Sequence, residues 1–308
     1  MSAPATHPFT QRLVRGEIVL LDGALGTELE RRGVATPLPL WSAQALLDDA
    51  PAVRRLHAAY ARAGADVLTA ATFRTTPRTL AKTGRTADDA ARLTRDAVAL
   101  ARAGRDDAAT GRAVWVAGAL APLEDCYRPE EAPPPGEAER EHAAQAALLR
   151  EAGADLLLVE TMNTIAEARA AVRGAVATGL PVAVSFICRS EREILSGEPL
   201  ADAARAVAAE RPAPAAVLVN CTPADRAAGC LETLSRAIRL PIGCYPNAGA
   251  PDLAEGSWRF DAALTPERFA ALAGTWIRAG AQIVGGCCGT GPDHIRALRE
   301  ALPPVLVE

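Results

Sequence analysis

Eight short apolar runs recur along this chain, at residues 18–21, 66–70, 114–118, 155–159, 182–187, 216–219, 242–245 and 282–284, and a helix-period pattern follows each one. Strands separated by helices pair in parallel, because a parallel neighbour needs a crossover of a dozen or more residues. Eight such units close on themselves. A phrase repeated before several runs supports the same reading: Arg62-Ala-Gly64-Ala-Asp66, Glu151-Ala-Gly153-Ala-Asp155 and Arg278-Ala-Gly280-Ala-Gln282. Glycine there ends a helix in the left-handed conformation and turns the chain into the next strand. The expected architecture is α/β, a TIM-type (β/α)8 barrel. No linker-like tract divides residues 1–308, a length that such barrels reach as a single domain.

Helix starts are legible as well. Pro51 opens a helix whose Val53, Leu56, Tyr60 and Ala63 share one face, Thr164 with Glu167 reads as a capping box, and Thr265-Pro266 and Thr290-Gly-Pro292 mark two more starts. The long irregular segments, 25–50, 121–137 and 247–264, all follow strands, which in a barrel places them on the catalytic face. The second of them carries five prolines and reads as a stiff wall or lid.

Composition narrows the function. Apolar residues make up 49% and charged residues 23%, ample for a core, while a net charge of −4 offers no electrostatic footprint for nucleic acid or an anionic membrane. The first residues lack an apolar leader segment and no run reaches the length of a membrane span. A cytoplasmic enzyme is expected, where thiols stay reduced, and seven cysteines, an odd number, suit that better than a disulfide framework. Lys82, the only lysine, lies away from any strand end, which disfavours Schiff-base and pyridoxal chemistry.

The residues with chemistry in them gather where strands end. Asp22 follows the first run, Thr72-Phe73 the second, Glu160-Thr161 the fourth, Asn220-Cys221 the sixth, Pro246-Asn247 the seventh and Cys287-Cys288 the eighth. Adjacent strand residues face opposite ways, so both sulfurs of Cys287-Cys288 reach one centre only if the backbone bends, as the flanking glycines allow. Cys221 supplies a third thiol from another strand end. Three thiolates with an open fourth position describe a catalytic zinc site; a vicinal disulfide or small buried thiols are the alternatives that spacing leaves open. Cys126, Cys188, Cys230 and Cys244 lack such context and read as buried or incidental thiols. None of the four histidines has metal-ligand spacing, although His294 lies close enough to the cysteine pair for a supporting role.

With these motifs together, the chain resembles the zinc-dependent homocysteine S-methyltransferases in their single-barrel form. The matching stretches are LDGALGTELERRG (21–33), Trp41-Ser42, ADVLTAATF (65–73), VETMNTIAEA (159–168), VNC (219–221), YPNAG (245–249) and GGCCGT (285–290), which span nearly the whole chain. The resemblance implies Zn2+ held by Cys221, Cys287 and Cys288, with the sulfur of L-homocysteine in the fourth place. It also implies that Glu160 binds the substrate ammonium, with Asp22 beside it or in the network around the metal. Asn220 and Asn247 would orient ligands or substrate, and Trp41 and Phe73 would shape the methyl-donor pocket, since a sulfonium is drawn to aromatic faces.

The implied reaction moves a methyl group from a small sulfonium, S-methylmethionine or S-adenosylmethionine, to homocysteine, giving methionine. In betaine-using members a tyrosine follows the position matching Phe73, and Arg74 stands there in this chain. A fixed cation beside a cationic donor is unfavourable unless it binds the donor's carboxylate, so this departure argues against betaine. The chain is also too short for added folate and cobalamin modules and lacks the C-terminal arm of the betaine enzymes, which suits a monomer or weak homo-oligomer. Rival readings keep the barrel but change its use: another methylated amine or another thiol or selenol as substrate, a phosphate- or FMN-binding barrel using the glycines after the last strand, or a non-catalytic zinc barrel.

Overall fold

The structure is a computed structural model that describes residues 7–252 and 257–302. Its strands are β1 (Val19–Leu20), β2 (Val67–Thr69), β3 (Trp115–Leu120), β4 (Leu156–Met162), β5 (Val182–Ile187), β6 (Ala216–Pro223), β7 (Ile242–Asn247), β8 (Gly249–Asp252), β9 (Ser257–Phe260) and β10 (Ala281–Val284). Eight of them form one parallel sheet in the order β1-β10-β7-β6-β5-β4-β3-β2. A bridge between Leu21 and Val67 joins its two ends, so the sheet closes into the expected TIM barrel.

Period-two alternation sorts the strand residues into two cores. Val19, Leu21, Leu156, Leu158, Leu218 and Ile283 pack into the barrel interior. Their neighbours Leu20, Leu157, Val159, Val217, Val219 and Val284 face the surrounding helices. Gly64, Gly153 and Gly280, in the repeated phrase, have φ of 111°, 91° and 100°, the left-handed turn that their positions demand.

The foot of the barrel is closed by an element that strand counting overlooked, the helix Pro8–Val14. Phe9 and Leu13, four residues apart and so on one face, complete the interior cluster, with Phe9 edge-on to Trp115 at 5.9 Å. Asp66 is fully enclosed beside it. Its carboxylate accepts from the Leu20 N–H at 2.9 Å and meets the guanidiniums of Arg299 at 2.6 Å, Arg112 at 3.1 Å and Arg12 at 3.4 Å.

Two local expectations are corrected and one is located more closely. Thr164 caps the helix Ile165–Val176 by accepting from the Glu167 N–H, but the Glu167 carboxylate does not reach back: it accepts from the Leu123 N–H at 2.8 Å and lies 3.1 Å from His142. A buried acid thus pins the loop after β3 instead of completing a capping box. The last helix, Pro292–Ala301, begins where Thr290-Gly-Pro292 marks a start, with Gly291 as its N-cap and Nδ1 of His294 accepting from the Gly291 N–H. Finally, 247–264 is not wholly irregular, because β8 and β9 pair as an antiparallel ribbon within it; residues 253–256 lie outside the described residues. Among the described residues no helix is long and apolar enough to cross a membrane.

Candidate metal centre and substrate cavity

Strands β4 and β6 run past their predicted ends through register shifts, between Val159 and Met162 and between Asn220 and Pro223. At these bulges Thr161 and Cys221 take φ of 60° and 49°. A β-branched residue in the left-handed region is strained, and such strain persists only where the surroundings fix it. Asn220 does the fixing. Its side-chain oxygen accepts from the Thr161 N–H at 3.0 Å and from the Ser185 hydroxyl at 2.7 Å, while its amide donates to Thr161 Oγ1 at 2.8 Å and approaches Cys221 Sγ at 3.4 Å.

The paired cysteines are fixed by backbone. The Cys287 N–H donates to the Pro246 carbonyl at 2.8 Å, and the Cys288 carbonyl accepts from the Ala248 N–H at 2.9 Å. Gly289, at φ 85°, seals this bend: a β-carbon there would stand 1.9 Å from the Ala248 oxygen. The outcome is convergence. One ligand atom from each of Cys221, Cys287 and Cys288 lies within 4.8 Å of the other two, and Cys221 and Cys287 approach to 3.1 Å.

A tetrahedral zinc with bonds of about 2.3 Å separates its sulfurs by roughly 3.8 Å, so the trio fits that ion once its closest pair parts by less than about an ångström. Electrostatics argue the same way. Hydrogen bonds from Cys221 and Cys288 hold the Cys287 thiol well below its usual range. Cys221 is pushed well up by its bonds to Cys287 and Cys288 and by burial; Cys288, although bonded by Cys221, is pushed up by Cys287 and burial. Three thiolates this close repel one another unless a cation lies between them.

Above the sulfurs opens a cavity of about 580 Å³. Two acids line it. Asp22 is buried and accepts from the Thr69 N–H at 2.8 Å and the Thr69 hydroxyl at 2.9 Å. Burial still lifts its pKa to about 7 against those bonds. Glu160, equally buried, has one partner, the Tyr245 hydroxyl at 3.3 Å. Burial, then the nearby Cys287 and Asp22, hold its carboxyl well above the ordinary range. Among the described residues neither acid has a cation, which is the arrangement that favours capture of an ammonium group.

The conserved-sequence profile of the homocysteine S-methyltransferases matches residues 19–302. This chain belongs to that family. It is 32% identical to the homocysteine S-methyltransferase YbgG of Bacillus subtilis, over 95% of this chain and 96% of that one, and 32% identical to the Escherichia coli homocysteine S-methyltransferase, over 95% and 98%. The crystal structure of a metallated form of the homocysteine methyltransferase MmuM from Escherichia coli superposes with a TM-score of 0.82 at 31% identity, covering 95% of this chain and 99% of the other.

In this homocysteine S-methyltransferase barrel, the remaining predicted residues divide between the cavity and its backing. Trp41 and Phe73 line the cavity and pack edge to face at 5.8 Å, with Trp41 at a left-handed φ of 46° seated over Gly26. Asn220 stands behind the thiols and not among the lining residues. Asn247 is likewise buried off the cavity, its side-chain oxygen without a partner. His294 bonds the Leu264 carbonyl and Gly291, so it secures the loop before the last helix and does not touch the thiols.

Cys126 was read as incidental, yet it lines the cavity with Asp125 and Tyr127 from the proline-rich loop, its thiol pushed up by burial to about 12. Sequence reasoning also missed Thr69, Tyr245 and Trp258 as cavity residues. Alternation along β4 places Glu160 inward with Leu156 and Leu158, and the same count along β7 would have found Tyr245. Trp258 could not be found that way, because the ribbon that carries it read as loop.

Proposed function

We propose that this chain transfers a methyl group from a small sulfonium, S-methylmethionine or S-adenosylmethionine, to the thiol of L-homocysteine, on a zinc ion held by Cys221, Cys287 and Cys288. The observation that carries this reading is the meeting of three sulfurs from two distant strand ends beneath a cavity that also holds two buried acids lacking cations. Bound there, zinc supplies an ionised thiol at neutral pH, where a free one of pKa about 8.5 is only a few per cent thiolate.

The chain's own groups do the rest. Glu160, with Asp22 nearby, receives the ammonium of homocysteine, and its burial strengthens that pairing by excluding water. Asn220 holds Cys221 in the strained turn that aims its sulfur at Cys287 and Cys288. Trp41 and Phe73 offer aromatic faces to the sulfonium. The homocysteine sulfur then forms a bond to the methyl carbon as the carbon–sulfonium bond breaks, so the donor leaves as a neutral thioether and the thiol proton has gone to solvent. Fixing the two reactants in line contributes up to about 7 to 11 kcal/mol in ideal cases. A cytoplasmic setting suits the reading, because reduced thiols are needed.

The test is to load the protein with zinc and offer L-homocysteine with each donor in turn. Methionine should form with the sulfonium donors; activity with betaine alone would overturn the choice of donor. X-ray absorption at the zinc edge should count three sulfurs, rising to four with homocysteine, and a count fixed at four throughout would point to a structural site.

A further inference from the structure

Two amino acids that meet in one cavity bring two carboxylates, and among the described residues the cavity has one cationic side chain to pair with them. Arg74 is its only lining cation, against the acids Asp22, Glu30, Asp125 and Glu160. Arg74 is 9% exposed. Its Cζ lies 5.5 Å from the centre of the Phe73 ring, and its Nη1 donates to the Glu124 carbonyl at 3.1 Å. Its Nε is buried without any partner.

A buried donor left open is rare, and the Nε edge of a guanidinium is one of the faces that grip a carboxylate by paired hydrogen bonds. Arg74 follows β2 and packs on the ring that itself packs against Trp41, so it borders the aromatic corner. Glu160 and the three thiols stand on β4, β6 and the end of β10, on another arc of the barrel. In the methyl-transfer reading the acceptor's sulfur and ammonium are taken by the thiol-held metal and Glu160, so the carboxylate for Arg74, at the aromatic corner, is the donor's.

We propose that Arg74 is the specificity residue of the donor pocket, binding the carboxylate of a sulfonium that carries one. This rests on the methyl-transfer reading above. It also accounts for a cation beside a pocket for cations: the carboxylate neutralises Arg74 as the sulfonium settles against the rings.

The test compares S-methylmethionine with (3-aminopropyl)dimethylsulfonium, which differs in lacking the carboxylate. In the zinc-loaded native protein the ratio of kcat/KM values should favour the carboxylate donor by about 10- to 100-fold, the worth of a hydrogen bond to a charged group. In R74Q that ratio should fall to within a few-fold of one through KM, and R74K should restore part of it. Because the readout is a ratio of two donors on the same sample, partial loss of folded protein does not move it. No preference in the native protein, or an unchanged preference in R74Q, would overturn the inference. So would an R74Q effect confined to the acceptor, seen by replacing homocysteine with 3-aminopropanethiol.

Calorimetric titration of both sulfoniums onto the metal-loaded protein asks the same question without turnover. A native protein that binds the carboxylate donor through Arg74 yet forms no methionine would retain this inference and overturn the methyl-transfer reading.

Discussion

Carboxylates are buried at both ends of this barrel, and their company differs completely. At the foot, Asp66 meets three guanidiniums and a backbone N–H. At the mouth, Glu160 has a phenol and Asp22 a threonine, with no cation for either among the described residues. An ion taken out of water needs compensation, and at the foot the chain supplies all of it. At the mouth the compensation is left for something that arrives. The foot is thus built for stability and the mouth for binding, and substitutions at the two ends should fail in opposite ways.

The largest effect is expected at the thiols. Cys221→Ser should abolish stoichiometric zinc, read by elemental analysis, and lower kcat/KM by about 10⁴-fold or more, since both ionisation and alignment of the acceptor go with it. Its midpoint in thermal melts of metal-free protein should move by only a few degrees. A collapse of the fold would erase the division between the two ends.

Asp66→Ala should do the reverse. Three arginines then crowd together with only Glu17 and backbone carbonyls to face them, which costs about 3 to 4 kcal/mol in urea unfolding, near the low end for a broken buried pair because Arg112 is partly in solvent. The folded fraction should keep its KM for homocysteine.

His57 sharpens the comparison from the helical layer, where it is buried with neither ring nitrogen partnered and its pKa lowered to about 4 by burial. Between pH 6.5 and 4 the unfolded chain takes up a proton that the folded one refuses, so stability must decline as pH falls through that window. The contribution approaches about 3 kcal/mol at 1.36 kcal/mol per unit. His57→Leu should flatten the acid limb of a stability-against-pH curve, and an unchanged limb would assign acid sensitivity to other groups.

The smallest effect belongs to Glu160→Gln. KM for homocysteine should rise about 10- to 100-fold, the value of a hydrogen bond between charged groups. Stability should hold or improve, because a buried acid without a cation has been removed. Destabilisation on the scale of Asp66→Ala would show the mouth to be as structural as the foot.

What could be read from the sequence follows the same division. Strand positions, glycine turns and the thiol set were legible because each rests on local chemistry: alternation, a left-handed cap, a run of ligands at strand ends. The left-handed backbone at Trp41, Thr161 and Cys221 was not legible, since nothing in those residue types favours it and only packing against Gly26 and the Asn220 bonds enforces it. Glu167 shows the limit of motifs. Its spacing from Thr164 fits a capping box, but a buried N–H at Leu123 and the ring of His142 compete for the carboxylate and win it. The helix at the foot carries its signal in only two residues, Phe9 and Leu13, and the ribbon lies within a segment that reads as irregular.

The order in which the thiols are made has a bearing on how the enzyme matures. Two of the three sulfurs come just after β10, the strand that sits between β1 and β7 and so completes the ring. During synthesis, Cys221 emerges long before its two companions, and no growing chain can grasp the ion through all three until its last strand is free of the ribosome. Closure of the wall and completion of the thiol trio are therefore a single late event, and a barrel that closes without an ion already holds all three sulfurs in place.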